Sequence, residues 1–302
     1  MGIYVEIHIQ GDMDELWQKT QQPDLHQQWD LRFTDIEYLP RPDVAQPQRF
    51  LYATRIGFGL GLGIRGAGES TGSQEHAGQR VSALKFWSDD PKSLIAEGSG
   101  YWKYQQTGDG IRFLTWYDYR TRFGAAGRLF DRAVFRPLIG WATAWSFDRL
   151  RLWIERGIPP AVALRNSLIY ASARLALAFI WIYHGLVPKL LLQHPDELAL
   201  LVRAGVSPAA APALVRVLGV VEIALGLALL LAWRSRWLLL ATIALMLLAT
   251  AGVAWTSPTS LVAAFNPLTL NLAVAVLALV GYLAGAEFPS ARRCLRKRPE
   301  GE

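Results

Sequence analysis

The chain of 302 residues has a single cysteine, Cys294, which excludes an intramolecular disulfide and any paired-cysteine redox or zinc motif. Histidine is also scarce. None of the five stands at metal-site spacing or in a recognisable triad, and His8, His26 and His76 are scattered through the first half. Without a cysteine pair or clustered histidines the chain lacks its own ligands for haem or an iron–sulfur cluster, and no metal or cofactor residues are identified. Nothing near Met1 resembles a secretory leader, because Met1 to Gln10 alternates like a strand and carries neither a basic region nor an apolar stretch. No internal repeat of about 20–50 residues is visible.

Long apolar runs are what the sequence does have. Residues 168–192, 213–233, 237–255 and 267–283 are each about long enough to cross a bilayer, so the second half reads as membrane-embedded. The whole-chain average, 52% apolar with 19% charged, hides this because the first half is polar. The sequence therefore divides into a soluble domain over 1–157, a linker over 158–166, a four-helix transmembrane part over 167–285 and a basic tail over 286–302. Arg149, Arg151, Arg156 and Arg165 precede the first span, Arg234 and Arg236 join the second to the third, and Arg292, Arg293, Arg296, Lys297 and Arg298 follow the fourth. The two other loops lack this excess. The positive-inside rule then puts both ends on the cytoplasmic face of a bacterial inner membrane, with Trp233 and Trp237 at the inner interface and Trp255 at the outer. A formal charge of +6 fits anionic headgroups better than nucleic acid, since the densest basic cluster directly follows a span. Cys294, beside the membrane among arginines, reads as inert, although its place permits S-palmitoylation.

In the first half, Ile3, Val5, Ile7 and Ile9 alternate with polar residues, the mark of a strand with one buried face. Asp12 can cap a short helix, and 24–29 suggests a second. Strands follow at 33–39, 49–64, 80–87, 94–104 and 111–122, with a hairpin turn at Gly108-Asp109-Gly110. From 125 to 156 the period becomes helical, with Leu129, Phe130, Ala133, Leu138, Trp141, Trp145, Leu152 and Trp153 as the apolar stripe and Pro137 as a source of a kink. Gly61 to Gly66 fits a dinucleotide fingerprint. The match is misleading, because Gly57, Gly59, Gly61 and Gly63 belong to one alternating run rather than to a strand-to-helix turn. That run suits close backbone approach or, by its apolar side chains, a membrane-dipping hairpin.

This order of elements, with the Trp17…Trp29-Asp30 helix signature, resembles the START-like (SRPBCC, polyketide-cyclase-like) helix-grip family over nearly all of 1–157. The resemblance implies an α+β domain whose sheet wraps a long helix around a cavity for an apolar small molecule. Trp87, Trp102, Tyr104, Trp116 and Tyr119 are the candidate lining, with core packing the competing explanation.

Ionised groups at the centre of a bilayer cost about 2.5–3.5 kcal/mol on insertion scales, so those that persist pair, face a cavity or do work. Arg174, His184 and Lys189 lie on the first span, Arg216 and Glu222 on the second, and the amide Asn271 on the fourth. Arg174, Lys189 and Arg216 are near membrane edges, where snorkelling is the simplest account. Glu222 is too deep for that and is either protonated or paired, with His184, Arg174 and Asn271 as its candidate partners. Trp181-Ile-Tyr-His184-Gly185-Leu-Val-Pro188-Lys189, Gly219-Val-Val-Glu222-Ile-Ala-Leu-Gly226 and Asn266-Pro267…Asn271-Leu272 resemble the DoxX-like membrane family across all four spans. Some members of that family look like small subunits of quinol-linked oxidoreductases.

Three functions stay open. The first is a membrane protein whose cytoplasmic domain binds a lipid or another apolar ligand for the bundle. The second is a quinone-interacting accessory subunit, as an oligomer or with an oxidoreductase partner. The third, a membrane-tethered cyclase or hydrolase, is weakest because no base with a partner is identified.

Overall fold

The computed structural model describes residues 2–43, 46–56, 62–76 and 78–299. Gly57, Gly59 and Gly61, on which the alternating-glycine and dinucleotide readings rest, lie outside the described residues. The chain forms two compact units: Met1–Ala163 with Pro289–Glu302, and Leu164–Phe288.

In the first unit, β1 (Ile3–Ile9) leads to α1 (Met13–Gln21) and α2 (Pro23–Trp29). Asp12 caps α1 by accepting from the amides of Asp14 and Glu15 at 2.8 and 3.0 Å. Six more strands follow: β2 (Asp35–Tyr38), β3 (Arg49–Ile56), β4 (Leu62–His76), β5 (Gln79–Trp87), β6 (Ile95–Thr107) and β7 (Gly110–Thr121). All neighbours are antiparallel, in the order β1-β7-β6-β5-β4-β3-β2. β4 is absent from the sequence-based expectation, which ran a single strand over 49–64. Its run Leu-Gly-Ile-Arg-Gly-Ala-Gly-Glu-Ser has few strand formers, and long pairing to β3 and β5 supplies the stability that propensity does not.

The helical run after β7 is α3 (Gly124–Phe130), a π-helical turn (Asp131–Phe135) and α4 (Arg136–Arg156). α4 crosses the inner face of the sheet. Phe147 stacks on Phe113 with centroids 4.4 Å apart, and Thr143 Oγ1 lies 2.9 Å from the Tyr117 hydroxyl. A seven-stranded sheet closed on its C-terminal helix is the helix-grip arrangement expected from the sequence. The expected apolar stripe divides. Trp145 and Leu152 are buried, whereas Leu129, Phe130, Leu138 and Trp141 are exposed.

Residues 289–299 return to this unit, so the stretch read as a basic tail supplies part of a fold. The Leu295 and Glu6 backbones exchange two hydrogen bonds of 2.9 Å, extending the sheet beyond β1. Asp148 explains why the segment docks. It is fully buried, and its carboxylate takes the Ser290 amide at 2.7 Å, Arg293 Nη1 at 3.2 Å and Arg151 Nε at 2.7 Å. Cys294 is buried with its thiol 3.2 Å from the Ala144 carbonyl, and burial, reinforced by Asp148, pushes that thiol well above its ordinary range. An inert thiol follows, without the access that acylation needs.

The second unit is helical. α5 (Pro160–His184) continues through a π-helical segment (Gly185–Leu191), making one apolar helix of 32 residues. Most of 158–166, expected as a linker, is thus the start of α5, with Pro160 at the first-turn position that tolerates proline. α6 (Pro195–Arg203), α7 (Ala211–Leu231), α8 (Trp237–Thr256) and α9 (Pro267–Ala284) follow. Four helices, Pro160–Leu191 and α7 to α9, are long and apolar enough to span a bilayer. Tyr170, Leu177, Trp181, Leu229, Leu239 and Ala278 form their core, while Leu231, Leu248 and Leu283 point outward as lipid-facing residues do.

Candidate functional site

The five aromatics expected to line one pocket lie on two faces of the sheet. Side chains alternate along a strand, so Trp116 faces away from Thr115 and Tyr117, and Trp87 away from Phe86. Trp116 stacks on Tyr101 on the outer face. Trp102, Tyr104 and Tyr119 face inward and are packed. Tyr104 is fully buried, its hydroxyl 2.7 Å from Thr20 Oγ1 and accepting from Gln21 Nε2 at 3.0 Å, while the Tyr119 hydroxyl donates to Asp131 Oδ1 at 2.6 Å. Beside the outer face, a shallow groove of about 300 Å³ is lined by Tyr4, Tyr101, Lys103, Leu114 and Arg298, too polar for an apolar guest.

The open part of the inner face lies over β3 to β5. Phe33, Phe50, Tyr52, Leu84 and Phe86 are only half-buried there. Glycines make the room. A Cβ on Gly66 would collide with the Tyr52 ring, on Gly68 with Phe50 and on Gly98 with Phe86, so the tip of each ring occupies the space that a side chain would need. The rings form a chain from His26 to Phe33 (5.4 Å), Phe33 to Tyr52 (5.5 Å) and Tyr52 to Phe50 (6.5 Å). A readable signal existed in the sequence: small residues at alternate positions in one strand opposite aromatics in the next.

At the end of that chain is a polar group the sequence reading did not find. Asp30, 1% exposed, accepts Arg32 Nε at 2.9 Å on Oδ1 and Arg32 Nη2 at 2.6 Å on Oδ2, and the Arg32 amide at 3.0 Å. His26 Nε2 lies 3.1 Å from Oδ2. Burial alone would raise the Asp30 carboxyl, but the charge of Arg32 and the hydrogen bonds from His26 and Arg32 hold it well below the carboxylate range. Burial lowers His26, and the opposing pull of Asp30 only partly offsets it. The ring is therefore mainly neutral at pH 7. A carboxylate only accepts, so Nε2 carries the proton and Nδ1 keeps its lone pair. Trp29 stacks on this ring and Trp102 meets it edge-on, both at 5.0 Å. The i, i+4 spacing of His26 and Asp30 in a short helix was the available clue.

In the second unit Glu222 meets none of its expected partners. Its Oε2 lies 3.1 Å from Lys189 Nζ, which also donates to Glu197 Oε1 on α6 at 3.0 Å. The Lys189 approach is off the line of a good hydrogen bond, so buried Oε2 has an ion-pair contact without a properly aimed donor. One ammonium thus stands between two carboxylates. The family-like motifs build this contact. Pro188 lies within the π-helical segment, and the Gly185 and Gly219 backbones approach so closely that a Cβ on Gly219 would lie 2.7 Å from the Gly185 carbonyl and 3.0 Å from Lys189 Cβ.

The other intramembrane polar residues are elsewhere. Arg174, fully buried rather than snorkelling, caps the end of α7: Nε donates to the Leu229 carbonyl at 2.9 Å and Nη2 to the Ala232 carbonyl at 3.0 Å, while Nη1 reaches the Tyr170 hydroxyl at 2.8 Å. Asn271 donates to Thr250 Oγ1 at 3.1 Å and ties α9 to α8. His184 and Arg216 are exposed on the helix surface. Among the described residues no group of three or more His, Cys, Asp or Glu side chains could hold a metal.

Both halves have similarities among known proteins. Several solved structures resemble the first half: the Zhui aromatase/cyclase from Streptomyces sp. R1128 (12% identity, 51% of this chain and 96% of that one, TM-score 0.38) and the STAR-related lipid transfer protein from Xanthomonas axonopodis (14%, 49% and 82%, 0.37). The di-domain cyclase StfQ of the steffimycin pathway is similar too (15%, TM-score 0.37); the match takes in 52% of this chain but only about half, 51%, of the cyclase. The helix-grip assignment itself rests on strand order and the position of α4. The uncharacterized membrane protein YndG of Bacillus subtilis (strain 168) is 50% identical over 185 residues, 61% of this chain and 68% of that protein. Residues 178–279, which carry Lys189, Glu222 and Asn271, match the model of the DoxX-like family, and the chain belongs to that family.

Proposed function

We propose that this membrane protein holds its first unit on the cytoplasmic side and there binds a lipid or another apolar small molecule drawn from the bilayer that the four spans occupy. The observation that carries the reading is the unfilled inner face. On the side of β1 and β7 the sheet is packed against α4, and Trp102 and Tyr104 of β6 against α1 and α2, but Phe33, Phe50, Tyr52, Leu84 and Phe86 remain half-buried over glycines. A flat apolar guest would bury this aromatic surface, gaining roughly 25 cal/mol per Å² of apolar area. Both ends of the bundle rejoin the first unit, at Ala163 and Pro289, and four is an even number of spans. The arginine-rich loops supply the cytoplasmic assignment.

A photoactivatable diazirine fatty acid, added to the full chain in nanodiscs, should crosslink to peptides carrying Tyr52, Leu84 and Phe86. Labelling confined to the four spans would overturn the reading. Thiol labelling of an exposed position such as Lys85→Cys in sealed inverted vesicles, but not in intact cells, should fix the side.

One observation favours a second reading, an enzyme acting on a lipophilic substrate. His26 is neutral, oriented by a locked carboxylate and placed at the end of the aromatic chain, as a general base requires. In a hydrolysis, Nδ1 would take the proton of an attacking water. If so, His26→Asn should abolish turnover of long-chain p-nitrophenyl esters while leaving the fatty-acid crosslink in place. Equal turnover by both proteins would remove this reading and leave the first standing.

A further inference from the structure

The π turn and the helices on either side of it carry a run of exposed apolar side chains. Leu129 is 70% exposed, Phe130 52%, Leu138 57% and Trp141 44%. Phe130, Val134, Leu138 and Trp141 succeed one another at intervals of four, four and three residues, so they form one ridge along a helix face. Exposed apolar side chains scattered singly need no explanation, but a contiguous ridge marks a binding surface.

We infer that this ridge is an interfacial anchor, which seats the first unit on an anionic bilayer surface.

Charge selects that occupant. Between residues 119 and 147 the only acidic residue is Asp131, and it is turned inward, buried and bound by Arg136 Nε at 2.9 Å and the Tyr119 hydroxyl at 2.6 Å. Arg128 and Arg132, by contrast, are exposed beside the ridge. A second basic segment lies against the same helix, since Arg296 Nη2 donates to the Pro137 carbonyl at 3.2 Å and brings residues 292–298 with it. An apolar ridge flanked by arginine, with its carboxylate hidden, has the composition of a helix lying in the headgroup layer, where the apolar face enters about 5–10 Å. Like charge would oppose docking on a basic protein face.

The test uses the full chain in nanodiscs of phosphatidylcholine, with or without one part in four of phosphatidylglycerol. In a Cys294→Ala background, nitroxides on Phe130→Cys and Leu138→Cys are compared by power-saturation EPR with one on Lys85→Cys, an exposed position on β5. The ratio of oxygen to nickel-chelate accessibility should rise several-fold at 130 and 138 when phosphatidylglycerol is present, and stay unchanged at 85. Ratios at 130 and 138 equal to that at 85 would overturn the anchor. Equal protection in a lipid-free amphipol would assign the ridge to a protein neighbour, a second copy or the bundle, and overturn it as well. A label-free measurement guards against damage by the cysteines. The double variant Phe130→Glu with Leu138→Glu should exchange amide hydrogens faster over 124–141 in the anionic nanodiscs and leave the β6–β7 peptides unchanged; no difference from wild type counts against the anchor.

Discussion

Asp30 is a buried carboxylate of the first unit held by Arg32 and His26. Removing Arg32 leaves a buried carboxylate with His26 as its main remaining side-chain partner, and losses of about 3–5 kcal/mol accompany such a break. Arg32→Ala should therefore melt far below wild type when the unit's tryptophan fluorescence is followed on heating, whereas Lys92→Ala, at an exposed ion pair, should change little. Acid should act in the same direction. The folded His26 lies below its unfolded value, so its contribution is complete above about pH 6.5 and is lost as pH falls through that value toward the folded one. Asp30 adds a second loss as pH falls from the ordinary carboxylate value near 3.9 toward its lower folded one, the range in which only the unfolded group takes up a proton. Amide exchange over α2, corrected for intrinsic rate, should rise between pH 7.5 and 5; a flat profile would show that His26 carries no such load. Single residues were unevenly legible. The depth of Glu222 marked it for protonation or pairing, but the choice of Lys189 depended on a π-helical turn, which no side-chain pattern announces. Arg174 at a membrane edge looked free to snorkel because the carbonyls it caps belong to another helix.

Among the elements, the crossing of α7 with the π-helical segment is the most sensitive to size. Gly219→Leu would drive a side chain into the Gly185 carbonyl and Lys189, whereas a Cβ on Gly252 of α8 would meet nothing within 4 Å, so that position should accept the same change. The first variant should lower the unfolding temperature in detergent by several degrees and the second by little; matching shifts would refute the close crossing. Glu222→Gln keeps the shape and removes the charge. Interhelical polar contacts in bilayers average about 0.6 kcal/mol and reach about 1.7, so its loss in the same assay should be smaller than that of Gly219→Leu. Elements with strong periodicity were plain in the sequence: β1, β5, β7 and all four spans. β4 was not, since its alternating glycines serve the aromatic rings of neighbouring strands and so suppress the signal of their own. The aromatic pocket suffered from the opposite fault, being chosen by residue type without regard to strand parity, which separates Trp87 and Trp116 from Trp102, Tyr104 and Tyr119.

For the whole molecule, the division into a polar first half and an apolar second half was evident from composition, but the return of residues 289–299 was not. Basic residues after a span look the same whether they meet headgroups or, like Arg293, a buried carboxylate more than a hundred positions earlier. Ending the chain after Phe288 would remove Arg293 and the Ser290 amide from Asp148, leaving it Arg151 as a cationic partner among the described residues, and would uncover the edge of β1. Amide exchange at β1 should then accelerate strongly while β5 and β6, in mid-sheet, change less; protection equal to wild type would mean that the segment merely rests on the surface. The same closure orders the protein's biogenesis. Ser290, Arg293 and Leu295 leave the ribosome only after all four spans have been made, so the nascent first unit must wait with an open sheet edge and an under-neutralised aspartate. Completion of the aqueous fold thereby reports that translation has passed the last span, and a chain stalled during insertion would present an unfinished edge to chaperones and proteases.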